Sequence, residues 1–125
     1  MKLSSVAKLI SGSLSAEDYS SEISVELAEH TRRLGHGRSA SVRVTEDIDF
    51  VLDRAGLGQF CRLFASGQLT ERELAYTADA LQLAERVEFS CPDIADDLDC
   101  CTDPEINGPL ATEQALEIAG RGAAT

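Results

Sequence analysis

Two stretches of this chain, 55 residues apart, carry the same signal to stop one helix and begin another. Ser11–Asp18 reads SGSLSAED and Ser66–Glu73 reads SGQLTERE. Glycine can take the left-handed backbone conformation that closes a helix C-terminus, which assigns that role to Gly12 and Gly67. Ser15 and Thr70 then stand where an N-cap belongs, with Asp18 and Glu73 three residues on to complete a capping box. Leu14 and Leu69 precede the caps, at the position of a hydrophobic staple. A weaker third copy, GPLATE, occupies Gly108–Glu113. So few copies at so long a period do not make a solenoid. They describe a chain that folds as helix, tight turn, helix, at least twice.

The apolar spacing supplies the helices between these turns. Val6, Leu9 and Ile10 begin a short first helix. Tyr19, Ile23, Leu27 and Leu34 place a long second one over about 16–34, closed by Gly35-His36-Gly37. Asp53 caps a third through Leu57, Phe60, Cys61 and Phe64, although two early glycines weaken its start. A fourth covers about 71–86. Ser90, Pro92 and Asp93 announce a fifth, in which Ile94, Leu98 and Cys101 recur at helical spacing. Thr102-Asp103-Pro104-Glu105 forms a further capping box and Asn107-Gly108-Pro109 a turn. A last helix from about Thr112 ends at Gly120. Between the second and third helices, Ser41–Val44 alternates and Ile48–Leu52 is β-branched and aromatic, so the two pieces pair as a β-hairpin across 45–47. A helix started by Thr45 is the competing reading. The expected fold is therefore a mainly α single domain over 1–120. It is a bundle of five to six helices, with a short β-hairpin near 41–52 as its one β element, and a loose tail follows at 121–125.

Charge is distributed one-sidedly. The 125 residues carry 11 Lys and Arg against 22 Asp and Glu, a net −11. From Val87 to Gly120 there is no Lys or Arg, while Glu88, Asp93, Asp96, Asp97, Asp99, Asp103, Glu105, Glu113 and Glu117 all fall there. Such a balance repels phosphate backbones and anionic membranes, and argues against binding nucleic acid directly. An unmixed block of one sign costs stability through self-repulsion, and a basic partner is what it gains; solubility is the competing explanation. The densest part, Asp93, Asp96, Asp97, Asp99, Asp103 and Glu105, is the candidate contact surface for Arg and Lys of that partner.

Other chemistries find little support. Counted from Asp93, the sixth and twelfth positions of a calcium loop are Leu98 and Pro104, which lack the required turn and bidentate ligand. Cys61, Cys91, Cys100 and Cys101 lack zinc-site spacing, and buried free thiols are the default. His30, beside Arg32 and Arg33, reads as a solvated or helix-end histidine. No nucleophile elbow or phosphate-binding glycine loop occurs. The expectation is a protein that is not an enzyme and needs no cofactor or metal. The N-terminus lacks a signal-peptide pattern and no run reaches the roughly 18 apolar residues of a membrane span, from which a cytoplasmic location is expected.

The segments Phe64–Leu74 (FASGQLTEREL) and Asp103–Leu110 (DPEINGPL), with the opening Leu9–Tyr19 (LISGSLSAEDY), resemble a group of small acidic helical proteins of bacteria. Some of these are similar to immunity proteins of the colicin-D and contact-dependent toxin kind. The resemblance covers about half the chain and consists mostly of turn and cap residues. It implies an inhibitor that neutralises a basic nuclease-type toxin. Two alternatives are a phage-type inhibitor that mimics nucleic acid towards a host nuclease complex, and a structural or adaptor protein.

Overall fold

The computed structural model describes residues 1–35, 42, 44–102 and 110–123. The described residues form six helices: α1 (Leu3–Ser11), α2 (Ala16–Gly35), α3 (Arg54–Ala65), α4 (Glu71–Leu83), α5 (Pro92–Asp99) and α6 (Thr112–Ala123). Two short strands, β1 (Phe50–Leu52) and β2 (Val87–Phe89), complete the described elements. The mainly α single-domain fold is thus the observed one.

The two turns obey one hydrogen-bond scheme. Gly12 and Gly67 sit at φ 86° and 82°. The N–H groups of Gly12, Ser13 and Leu14 donate to the carbonyls of Leu9, Lys8 and Lys8, and those of Gly67, Gln68 and Leu69 to Phe64, Leu63 and Leu63. Each bond in one turn has its counterpart 55 residues on. The caps follow suit. Asp18 N–H donates to Ser15 Oγ (3.1 Å) and Glu73 N–H to Thr70 Oγ1 (3.2 Å). In the second copy Glu73 also reaches back to accept from Thr70 N–H at 2.8 Å. Asp18 is one methylene shorter than that glutamate, and the first copy makes the forward bond.

The helices that leave these turns are joined at their inner faces. Tyr19 of α2 and Thr77 of α4 share a buried hydroxyl–hydroxyl bond of 2.6 Å. Burial raises the Tyr19 phenol well above its ordinary pKa, so it stays neutral. Around this pair one core gathers Leu3, Val6, Leu9, Leu57, Phe60, Leu74, Leu81, Ile94, Leu98 and Ile118. The apolar spacings read from the sequence are its inward faces. Helix α6 packs along α3 with Gly58 against Ala119: a Cβ there would lie 3.4 Å from the Ala119 carbonyl oxygen, an ordinary van der Waals contact.

Three expectations need correction. Strand β1 does not close a hairpin with the residues before it. It pairs in parallel with β2, Phe50 opposite Val87 and Leu52 opposite Phe89. Val42, Val44, Ile48 and Phe50 do turn towards the core. Alternation therefore gave the buried face correctly, but a period of two says nothing about which strand lies alongside. Positions 41 and 43 of the expected hairpin lie outside the described residues. The second correction concerns α5, whose cap is Cys91 rather than Ser90, with Pro92 opening the helix. Third, α6 runs on through Gly120 to Ala123, because Gly120 does not adopt the left-handed conformation that would end it. Residues 124 and 125 are outside the description, as are Asp103–Pro109 with the expected cap and turn there.

The glycines make a test of opposite signs. Gly12→Ala and Gly67→Ala should each cost roughly 1–2 kcal/mol, because alanine must enter the left-handed region. Gly120→Ala, on an exposed helical site with nothing near its Cβ, should add up to about 1 kcal/mol. Urea unfolding of the three variants reads both effects.

Candidate functional site

The site begins with how α5 is anchored. Pro92 at the first helical position has no N–H to leave unsatisfied, and Asp93 in the first turn complements the positive end of the helix dipole. Ile94 and Leu98 are fully buried and Cys101 nearly so. Cys100 is exposed beside that stripe. The helix thus lies with one face sealed into the core, as its spacing predicts.

The acidic residues do not all face the same way. Asp97 is only 7% exposed and is turned inward to Arg54 of α3. The guanidinium is shared: NH1 donates to Asp97 Oδ2 and NH2 to Asp93 Oδ2, both at 2.5 Å. Arg54 is itself largely covered, whereas the Asp93 side chain remains 66% exposed. Asp97 therefore stands as a buried ion-pair residue rather than a free contact for a partner. Asp99 accepts a hydrogen bond from Gln82 Nε2 of α4 at the exposed end of α5. Asp96 is exposed on the outer face. Asp103 and Glu105 lie outside the described residues. Of the six candidates, the structure brings Asp93 and Asp97 together on one arginine and leaves Asp96 and Asp99 on the outside.

The inward position of Asp97 had a signal in the sequence. It falls three residues after Ile94 and four before Cys101, inside the apolar stripe rather than across from it. A carboxylate on a buried face demands a cation or several donors. Its identity was not legible, because Arg54 is 43 residues away in the chain. A second arginine missed by sequence reading is Arg86, the last basic residue before the acidic block. Its Nε donates to Asp49 (2.8 Å), its NH1 to the Glu46 carbonyl (2.7 Å), and its backbone N–H to Glu46 Oε1 (2.7 Å). It ties the segment before β1 to the start of β2. On β2 itself, Glu88 is exposed opposite Val51 of β1, so the strand entering α5 adds an outward carboxylate.

His30, expected to be solvated or at a helix end, is half-buried within α2, five residues before its end. Its ring meets Tyr76 edge-on at 5.1 Å, and its Nδ1 is buried without a hydrogen-bond partner. Tyr76 donates to Glu26 Oε2 at 2.8 Å. A groove between α2 and the start of α4 is walled by Ser20, Ser24, Leu27, Thr31 and Arg72; His30 does not line it. Among the described residues no group of three or more His, Cys, Asp or Glu converges as a metal site would require. Among them, too, no helix is long and apolar enough to cross a membrane.

Comparison with known proteins returned no match to a family model, a curated protein or a solved structure.

The electrostatics give two tests. A hydrogen bond from the Cys91 thiol, and then the bonds from Arg54, hold the Asp93 carboxyl down at about 2. A lowered carboxylate pKa contributes stability that is present above the unfolded value, about 4, and lost as pH falls through the folded one. Wild-type stability should therefore fall more steeply between about pH 4 and pH 2 than that of Asp93→Asn, as read from denaturant midpoints across that range. At neutral pH, Asp97→Asn should cost roughly 2–4 kcal/mol by leaving Arg54 short of a buried partner, and Asp96→Asn less than about 0.5 kcal/mol.

Proposed function

We propose that this chain is a non-catalytic acidic binding protein that captures a basic protein partner through the outer side of α5 and the strand entering it. The observation that carries this reading is Asp96 and Asp99 on the outer side of a helix anchored from behind. They stand within a block of sequence that holds no Lys or Arg. A rigid support matters, because carboxylates fixed before encounter meet the guanidinium and ammonium groups of a partner without a further ordering cost. Opposite potentials then raise the association rate, most strongly at low ionic strength.

An immunity protein against a nuclease-type toxin is the partner class that the resemblance favours. Nucleases act on polyanions and present basic clefts, and a small acidic inhibitor can set carboxylates where phosphates would lie. Asp93 keeps one edge towards solvent and adds to that surface. Asp97 contributes through Arg54, by holding the helix in place. A cytoplasmic site of action fits an inhibitor that must meet its toxin before the toxin meets nucleic acid.

Capture from a lysate of the native host at low salt, followed by kinetics on the purified pair, tests the reading. Asp96→Asn/Asp99→Asn should slow association by roughly three- to tenfold at low salt and much less at high salt, with little change in folding stability. An on-rate that is the same for variant and wild type at low salt would sink the assignment.

A further inference from the structure

Helix α2 spends one face on the core. Tyr19 and Ile23 are buried, and Tyr19 and Glu26 bond to α4 from that side. On the other side Asp18, Val25 and Arg32 follow one another at seven-residue intervals, which sets them along one line of the helix. All three are exposed, and Val25, at 81%, is more exposed than any other large apolar residue described. Ser21 and Ala28 stand between them, exposed and short. Concavities flank this side, one beside Glu22 and Glu29 and the other the groove towards α4, with Ser24, Ala28 and Arg32 lining both.

The line is negative at one end, apolar in the middle and positive at the other. Reversed, it is its own complement. A two-fold rotation about Val25 sets Asp18 of one copy against Arg32 of the other, twice, about 10 Å to either side of the centre. Glu17 and Arg33, each eight residues from Val25, are matched by the same rotation. The charges at both ends are available. Neither Glu17 nor Asp18 enters an ion pair among the described residues. Arg32 and Arg33 share the one carboxylate of Glu29, at 2.7 and 3.0 Å, which leaves a positive charge over and orders Arg32 before any encounter.

We propose that the outer face of α2 is a homodimer interface, on which two copies of the chain pair antiparallel about Val25. A basic partner would be repelled here by Arg32 and Arg33, and an acidic one by Glu17, Asp18 and Glu22. A second copy satisfies both ends at once. The acidic block from Val87 to Gly120 contributes no residue to this face. At about 0.15 M salt its repulsion is screened beyond about 8 Å, whereas ion pairs in contact lie inside that distance. One face of a 20-residue helix is small for a specific interface. The dimer is therefore weak and reversible, with a Kd on the order of 10–100 μM. Residues of α5 take no part, so the dimer presents that helix twice.

Sedimentation velocity of the full chain, from about 10 μM to about 1 mM in about 0.15 M salt, reads the equilibrium. Wild type should pass from monomer to dimer across that range. Val25→Lys at the exposed centre, and the single reversals Asp18→Arg and Arg32→Glu, should each weaken dimerisation at least about tenfold with helical circular dichroism unchanged. An equimolar mixture of the two reversals should regain dimers, because both end contacts are then of opposite sign. A wild type that stays monomeric to about 1 mM would overturn the proposal. So would dimers that survive Val25→Lys, or a mixture of the reversals as monomeric as either alone.

Discussion

Much of this molecule depends on how one guanidinium is shared. Arg54 leaves the first turn of α3 and divides its fork between Asp93 and Asp97, one helical turn apart on α5. Bringing Asp97 out of water costs several kcal/mol, and an ion pair returns that only when its geometry is good and the remaining lone pairs are satisfied. Any other rotation of α5 strands a charge. The pair thus fixes which carboxylates point inward, and by difference which remain for the surface. Ile94 and Leu98 turn the same face of the helix inward, and the shared guanidinium sharpens its rotation and axial position. Apolar contact tolerates small slips, and a forked hydrogen bond does not.

What could be read from the sequence follows the range of the interactions. The two turns were legible residue by residue, since every group in them lies within six positions of its partner. The inward faces of the helices were legible from spacing, as Tyr19, Ile23, Leu74 and Ile94 show. The pairing of β1 with β2 was not, because the strands are separated by two whole helices and the alternation around Phe50 suits either neighbour. The candidate site split along the same line. The spacing put Ile94 and Leu98 in the core, and it would have put Asp97 with them had charge not been taken as a sign of exposure. Arg54 carries no local mark of its role.

The paired turns also explain why a chain with so few aromatics has a defined interior. Each delivers a helix from a leucine just before the cap, Leu69 buried and Leu14 partly so. The two helices so delivered meet at Tyr19 and Thr77. That bond is a polar lock between the two helices. Losing either hydroxyl would leave the other buried and unpaired, which costs more than the bond itself contributes.

The parallel sheet bears on the order in which the chain assembles. A hairpin can zip from its turn, but β1 and β2 are joined by α3, a tight turn and α4, and cannot approach until that connection has folded back on itself. The Gly67 turn, with its complete capping box, is the local structure that brings them together. Strand pairing is thereby a late event that reports on the helices before it. Arg86, clasping the segment ahead of β1 from the start of β2, acts as the latch that closes once they are in place.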